Sequence, residues 1–117
     1  MFLASAMAVK LGHEMMPNAK FGAMYALSEI YPETCKPEDV FCWMQCRRET
    51  LFFTDVMVRG YYPAYTADLY SRRGIDSIQQ QEGDAEILWQ GRLDYVAFSY
   101  YRSATDNAAS PCRTMGG

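Results

Sequence analysis

Histidine is almost absent from this chain: His13 is the single one in 117 residues. A metal centre built on imidazole therefore has too few ligands. A basic excess is absent too. Eleven Lys and Arg stand against 14 Asp and Glu, a net charge of −3, and without a basic footprint nucleic acid is a poor partner. No apolar run approaches the ~20 residues of a membrane helix. The apolar start Met1–Val9, with Ala6-Met7-Ala8 resembling a cleavage site, lacks the basic residues that open a signal peptide. These absences predict a soluble, cytoplasmic protein with no membrane partner.

Four cysteines are present: Cys35, Cys42, Cys46 and Cys112. Cys42 and Cys46 are four apart and share a face if their segment is helical. Two close thiols fall short of a metal site, and a disulfide framework needs a secreted context that the sequence does not display. They read as reduced, buried and inert. Half of the residues are apolar and 21% are charged, a globular composition.

The Ala- and Met-rich stretch 2–16 predicts a helix stopped by Pro17-Asn18. Lys20–Leu27 predicts a short strand, with Gly22 marking a close backbone approach. Ser28–Cys35 reads as a loop. Pro37, with Glu38 and Asp39 behind it, opens a helix running to about Val58, and Gly60 ends it. Pro63 opens another, closed by Gly74 after Arg72-Arg73. A short helix, Gly83 to Gln90, leads to a second strand. Residues 104–117 carry no apolar periodicity and read as loop or disorder. Helix, strand, helical excursion, strand is a parallel βα pattern. Two strands alone make a poor sheet, so the pattern predicts part of a larger one.

The second strand is the most informative segment. Leu93–Phe98 is an apolar run of the kind buried on both faces, and it delivers Ser99, Tyr100 and Tyr101 at its C-terminal tip. In a parallel α/β barrel such tips bind ligands. Paired tyrosines offer a ring to stack on a sugar and a hydroxyl to hold a carboxylate.

Four ordered motifs carry a resemblance to a known family. They are LASAMAVKLGHEMMP, KFGAMYALSEIYPETCKPED, FFTDVMVRGYYPAY and LDYVAFSYY, which together span residues 2 to about 103. They resemble glycoside hydrolase family 1, in particular its bacterial 6-phospho-β-glucosidases, from the helix after the fourth barrel strand through the fifth strand to the sixth. The resemblance implies an α/β fold, a partial (β/α)8 barrel of about two parallel strands with their helices. It divides the chain into a barrel segment, 1–103, and a divergent tail, 104–117. It implies retaining hydrolysis by two glutamates, whose carboxyls such chemistry needs ~5 Å apart. The family places one upstream of Phe2 and the other downstream of Gly117. No residue of this chain is thus expected to be a catalytic carboxylate, and no cofactor or metal is implied.

Tyr101 matches the family tyrosine that hydrogen-bonds the nucleophile and orients it; its alternative role is a packing aromatic. Ser99 stands where many members carry Asn and is closer to the 6-phospho branch. Tyr31 follows the fifth strand, near where members contact the leaving group; its alternative is an exposed loop aromatic. Glu14 and Asp39 read as residues at helix ends, and the family does not use Glu29 as a catalyst; Asp55 completes the carboxylates considered for a pair. Arg47-Arg48 and Arg72-Arg73 read as solvated helix residues, and His13 as a polar residue near a helix end.

The expected parent activity is hydrolysis of phosphorylated β-glucosides to glucose 6-phosphate, with no turnover by this segment alone. Two alternatives stand beside it. One is a non-catalytic product folding by association with itself or a complementary barrel fragment through its open strand edges. The other is a cysteine-based metal or redox module.

Overall fold

A computed structural model describes residues 1–109 of the chain. Its elements run α1 (Phe2–Met15), β1 (Gly22–Pro32), α2 (Pro37–Arg59), α3 (Thr66–Arg72), α4 (Asp84–Gln90) and β2 (Tyr95–Asp106). The strands β1 and β2 pair as a two-stranded parallel sheet. The described residues group into two compact units, 1–24 with 52–97 and 25–51 with 98–109.

The first unit holds the larger apolar cluster. Phe52, Val56 and Leu69 are buried, with Phe2, Tyr62, Tyr65 and Tyr70 around them. Val56 has no exposed surface. Phe2 and Tyr70 meet the Phe52 ring edge-on at 5.5 and 5.7 Å, the arrangement that aromatic quadrupoles favour. Helix α1 buries Ala6, Val9 and Gly12, spaced by three along one stripe, and packs against α4. The approach is close: a Cβ on Gly91 would lie 2.0 Å from the Ala6 carbonyl oxygen. Pro17 disfavours the helical region for Met16, which leaves it at φ −135°, ψ 75°.

The second unit joins the C-terminal halves of the strands to the first turns of α2. Pro37 opens α2 and Gly60, at φ +73°, follows its end. Asp39 near the helix start is buried. It accepts hydrogen bonds from the Thr34 hydroxyl at 2.6 Å and the Ala108 N–H at 2.9 Å.

Several expectations are corrected. Strand β1 continues to Pro32, so Ser28–Pro32 are strand and not loop. Their hold is tertiary: Trp43 Nε1–H donates to the Ile30 carbonyl at 2.6 Å, and Arg47 pairs with Glu29 at 2.7 Å. Strand β2 runs through Asp106, past the boundary set at residue 103, and the Glu33 N–H donates to the Asp106 carbonyl. Ala104–Asp106 are therefore strand; residues 110–117, with Cys112 and most of the expected tail, lie outside the described residues. Helix α3 starts at Thr66 and not at Pro63, whose carbonyl instead accepts the Thr66 N–H in a turn. Gly74, at φ +71°, does follow that helix as expected.

Leu93 is buried, but Tyr95 and Phe98 are 53% and 59% exposed. The apolar run is not covered on both faces by the described residues. Cys42 and Cys46 are buried as expected, Cys35 is exposed, and none of the three is in a disulfide. Among the described residues no helix is long and apolar enough to cross a membrane, and no group of three His, Cys, Asp or Glu could hold a metal ion.

Candidate functional site

Side chains two apart on a strand share a face, so Ser99 and Tyr101 point the same way from β2. Which way follows from the strand partner. A Cβ on Gly22 would lie 2.5 Å from the Tyr95 ring, so even positions of β1 share a face with odd positions of β2. The opposite face is marked by Tyr25 and Phe98, whose ring centroids are 6.4 Å apart. Alternation then puts Ser99 and Tyr101 on the face opposite Tyr25 and Phe98, the face that bears Ala26, exposed on β1. The other face bears Tyr25, Leu27 and Glu29, and the Glu29–Arg47 pair turns it toward α2. Ser99 and Tyr101 thus lie on the face turned away from α2. Ser99 is half-buried, and Tyr101 is 72% exposed.

Both residues sit inside β2, not at its tip, since the strand continues five residues past Tyr101. The Tyr100 hydroxyl bonds Ser103 Oγ. Tyr31 is the penultimate residue of β1 and not a loop residue. Strict alternation places it with Tyr25, Leu27 and Glu29. The structure brings Ser99 and Tyr101 onto one face and leaves Tyr31 on the other.

The remaining carboxylates have local partners. Asp55 accepts the Tyr65 hydroxyl at 2.6 Å and pairs with Arg59 at 3.6 Å. Glu29 is tied to Arg47, and Glu14 is exposed near the end of α1. Arg47 is exposed, as expected of a solvated face, and pairs with Glu29; Arg72 pairs with Asp68 one turn back. His13 Nε2 lies 2.7 Å from Asp94 Oδ2.

Three positioning features escaped the sequence reading. The Trp43 indole holds the β1 backbone one residue before Tyr31. At the C-terminal strand ends Asp39, Asp106 and Cys42 form a polar knot, with the Cys42 thiol donating to buried Asp106 at 3.2 Å and Asn107 bonded to Glu33. The Thr34 hydroxyl first, then the Ala108 N–H, hold the Asp39 carboxyl below its ordinary value. At the opposite strand end the Phe21 N–H, then His13, do the same for Asp94. Asp94 directly precedes the strand run, the one sequence signal that could have marked it.

The family model for glycosyl hydrolase family 1 matches residues 1–115. The chain is 49% identical over 102 residues to the aryl-phospho-beta-D-glucosidase BglH of Bacillus subtilis (strain 168), covering 87% of this chain and 22% of that protein. It is 45% identical over 106 residues to the 6-phospho-beta-glucosidase AscB of Escherichia coli (strain K12), covering 91% and 22%. The chain thus spans about a fifth of the length of the curated relatives it matches. Among solved structures it is similar to a beta-glucosidase from Exiguobacterium marinum, with a TM-score of 0.73 and 22% identity, over 99% of this chain and 28% of that one. A beta-glucosidase from Thermotoga maritima in complex with glucoimidazole matches at TM-score 0.65 and 22% identity, over 89% and 23%. At those identities the structures speak for the fold alone, and with the family match they establish that this chain belongs to glycosyl hydrolase family 1, as a piece of its (β/α)8 barrel.

Proposed function

We propose that the protein to which this segment belongs is a retaining 6-phospho-β-glucosidase, and that the segment supplies one wall of its sugar site. The observation that carries the reading is the placement of Ser99 and Tyr101 together on the face of the sheet turned away from α2. In a (β/α)8 barrel that face looks inward, where substrate chemistry is done. The names of the relatives at 45–49% identity support a substrate phosphorylated on the glucose unit.

In this reading the two carboxylates that cleave the bond lie outside the segment, and Tyr101 donates its hydroxyl to the nucleophile. A hydrogen bond to the charged form keeps a carboxylate ionised and aimed. Ser99, on the same face, offers a hydroxyl to a sugar hydroxyl. Tyr31 would act, if at all, from the mouth of the site, since alternation keeps it off the Tyr101 face. No cofactor or metal enters the scheme.

The test compares p-nitrophenyl β-glucoside 6-phosphate with the unphosphorylated glucoside as substrates of the protein. Preference for the phosphorylated compound is expected; equal or reversed preference overturns the substrate assignment. The 117-residue chain alone is expected to release no nitrophenol, and any turnover by it would show that the chemistry resides here.

A second reading rests on the open outer edges of the two-stranded sheet. There the chain is a non-catalytic product that folds only by association with itself or a complementary barrel fragment. Sedimentation of the pure chain separates the two: assembly into a defined oligomer favours the second.

A further inference from the structure

Thr66, the first residue of α3, is buried, with 4% of its surface exposed. Its N–H donates to the Pro63 carbonyl at 2.9 Å. Its hydroxyl has no such outlet. Among the described residues Thr66 Oγ1 is the one buried side-chain oxygen or nitrogen without a hydrogen-bond partner. A buried hydroxyl left unpaired costs the fold its desolvation, and native structures keep few of them.

Thr66 stands in the wall of a cavity of about 340 Å³. That volume falls in the range of small-molecule pockets, roughly 300–1,000 Å³. Tyr62, Pro63, Tyr70 and Ile78 share the lining, and Asp76 is among its exposed residues. All of them belong to the first compact unit. Two walls are fixed by the core of that unit. The Tyr62 ring meets Phe2 edge-on at 5.8 Å, and the Tyr70 ring meets Phe52 edge-on at 5.7 Å.

The lining selects a class of ligand. Two of its walls are aromatic, which favours a ring set against them. Burial raises the Tyr62 phenol above its ordinary value, and Tyr70 and Asp84 act in the same direction. An environment that resists charge on Tyr62 resists an anion beside it, and the Asp76 carboxylate adds to this. The idle hydroxyl of Thr66 can both donate and accept. Threonine in a helix occupies two χ1 rotamers, so a turn about one bond brings Oγ1 to face the cavity. The matching molecule is a neutral ring that carries one hydroxyl.

We propose that this cavity is a binding site for a small neutral phenol, whose ring lies against Tyr62 and Tyr70 and whose hydroxyl bonds Thr66 Oγ1. The proposal does not rest on the functional reading above, since neither Ser99 nor Tyr101 enters it.

The test uses the protein that carries this segment, with phenol and toluene as probes. The two have nearly one shape and differ in the hydroxyl. Binding is read from the methyl resonances of Ala67 and Ile78, both in the lining, so a probe bound elsewhere in the protein does not count. Phenol is expected to move them saturably and to bind about tenfold tighter than toluene, the size of one hydrogen bond between neutral groups. Thr66→Val removes the hydroxyl at nearly constant shape and should erase that preference. It should also leave the melting temperature of the free protein unchanged or raised, because the hydroxyl it removes has no partner. Ala67→Leu, which fills the cavity from α3, should abolish binding of both probes. Resonances that stay still in phenol, equal binding of the two probes, or a phenol preference that survives Thr66→Val overturns the proposal. A lower melting temperature of the free Thr66→Val protein would show the hydroxyl already satisfied by a buried water, and would overturn it as well.

Discussion

At the scale of single residues, the polar groups at the two ends of the sheet do different work. Asp39 stitches the start of α2 to Thr34 and Ala108, and Asp94 stitches the start of β2 to Phe21 and His13. Both carboxyls are held below their ordinary values by donors that recognise the charged form. A carboxyl depressed in this way stabilises the fold above its unfolded value, and the contribution is lost as pH falls through the folded one. Stability is therefore expected to decline on acidification below about pH 4, and Asp39→Asn should flatten that decline. Melting curves of the two proteins across this range check it; parallel curves would mean that Asp39 is not the group responsible. For Tyr101 the expectation concerns chemistry. In the proposed function its hydroxyl makes one hydrogen bond to a charged partner, worth about 1.5–3 kcal/mol, so on that proposal Tyr101→Phe should lower kcat of the protein carrying this segment by roughly 10- to 100-fold. The matching measurement is kcat against p-nitrophenyl β-glucoside 6-phosphate.

At the scale of elements, the helices hold the strands by close contact, and the tightest contacts are at glycines. Gly91 lies against the Ala6 backbone, which cannot swing away as a side chain can. Gly91→Ala is expected to push α1 off α4 and cost about 1–3 kcal/mol, as overpacking does. Gly22→Ala should cost less, because the Tyr95 ring that covers it is half exposed and free to rotate. Phe52 is buried at the meeting point of Phe2, Tyr62 and Tyr70. Phe52→Ala should cost about 3–5 kcal/mol, the range for deleting a buried aromatic. Denaturant titrations of the three variants give the ranking; a Gly22 variant weaker than the Phe52 variant would contradict it.

At the scale of the whole molecule, what is unusual is how much apolar surface faces outward. Met24, Tyr95, Phe98 and Tyr101 on the sheet, and Met7, Leu11 and Met15 along α1, are all more than half exposed. A parallel sheet is normally covered on both faces, and an apolar patch of this kind marks a surface that another element should cover. The isolated chain is therefore expected to bind a hydrophobic dye and to associate with rising concentration. A monodisperse monomer that binds no dye would show that these side chains are tolerated in water. The chain covers about a fifth of the length of the curated relatives it matches.

The local signals were legible from the sequence alone. Pro17 and Gly60 bounded helices where they were expected to, because a missing N–H and a positive φ act within one or two residues. Gly22 marked a close approach, and the four ordered motifs pointed to the family, since motif order survives without any structure. Ser99 and Tyr101 share a face by the period of two, which also needs no partner. What only the tertiary structure decided was where the strands stop and which way they face. Ser28–Pro32 and Ala104–Asp106 carry no strand pattern of their own. They are strand because Trp43 and the pairing of β1 with β2 satisfy their backbone, while Arg47 holds the Glu29 side chain. The face on which Tyr101 lies follows from the contact of Phe98 with Tyr25, far apart in the chain. Register is a property of two strands at once, and no single segment contains it.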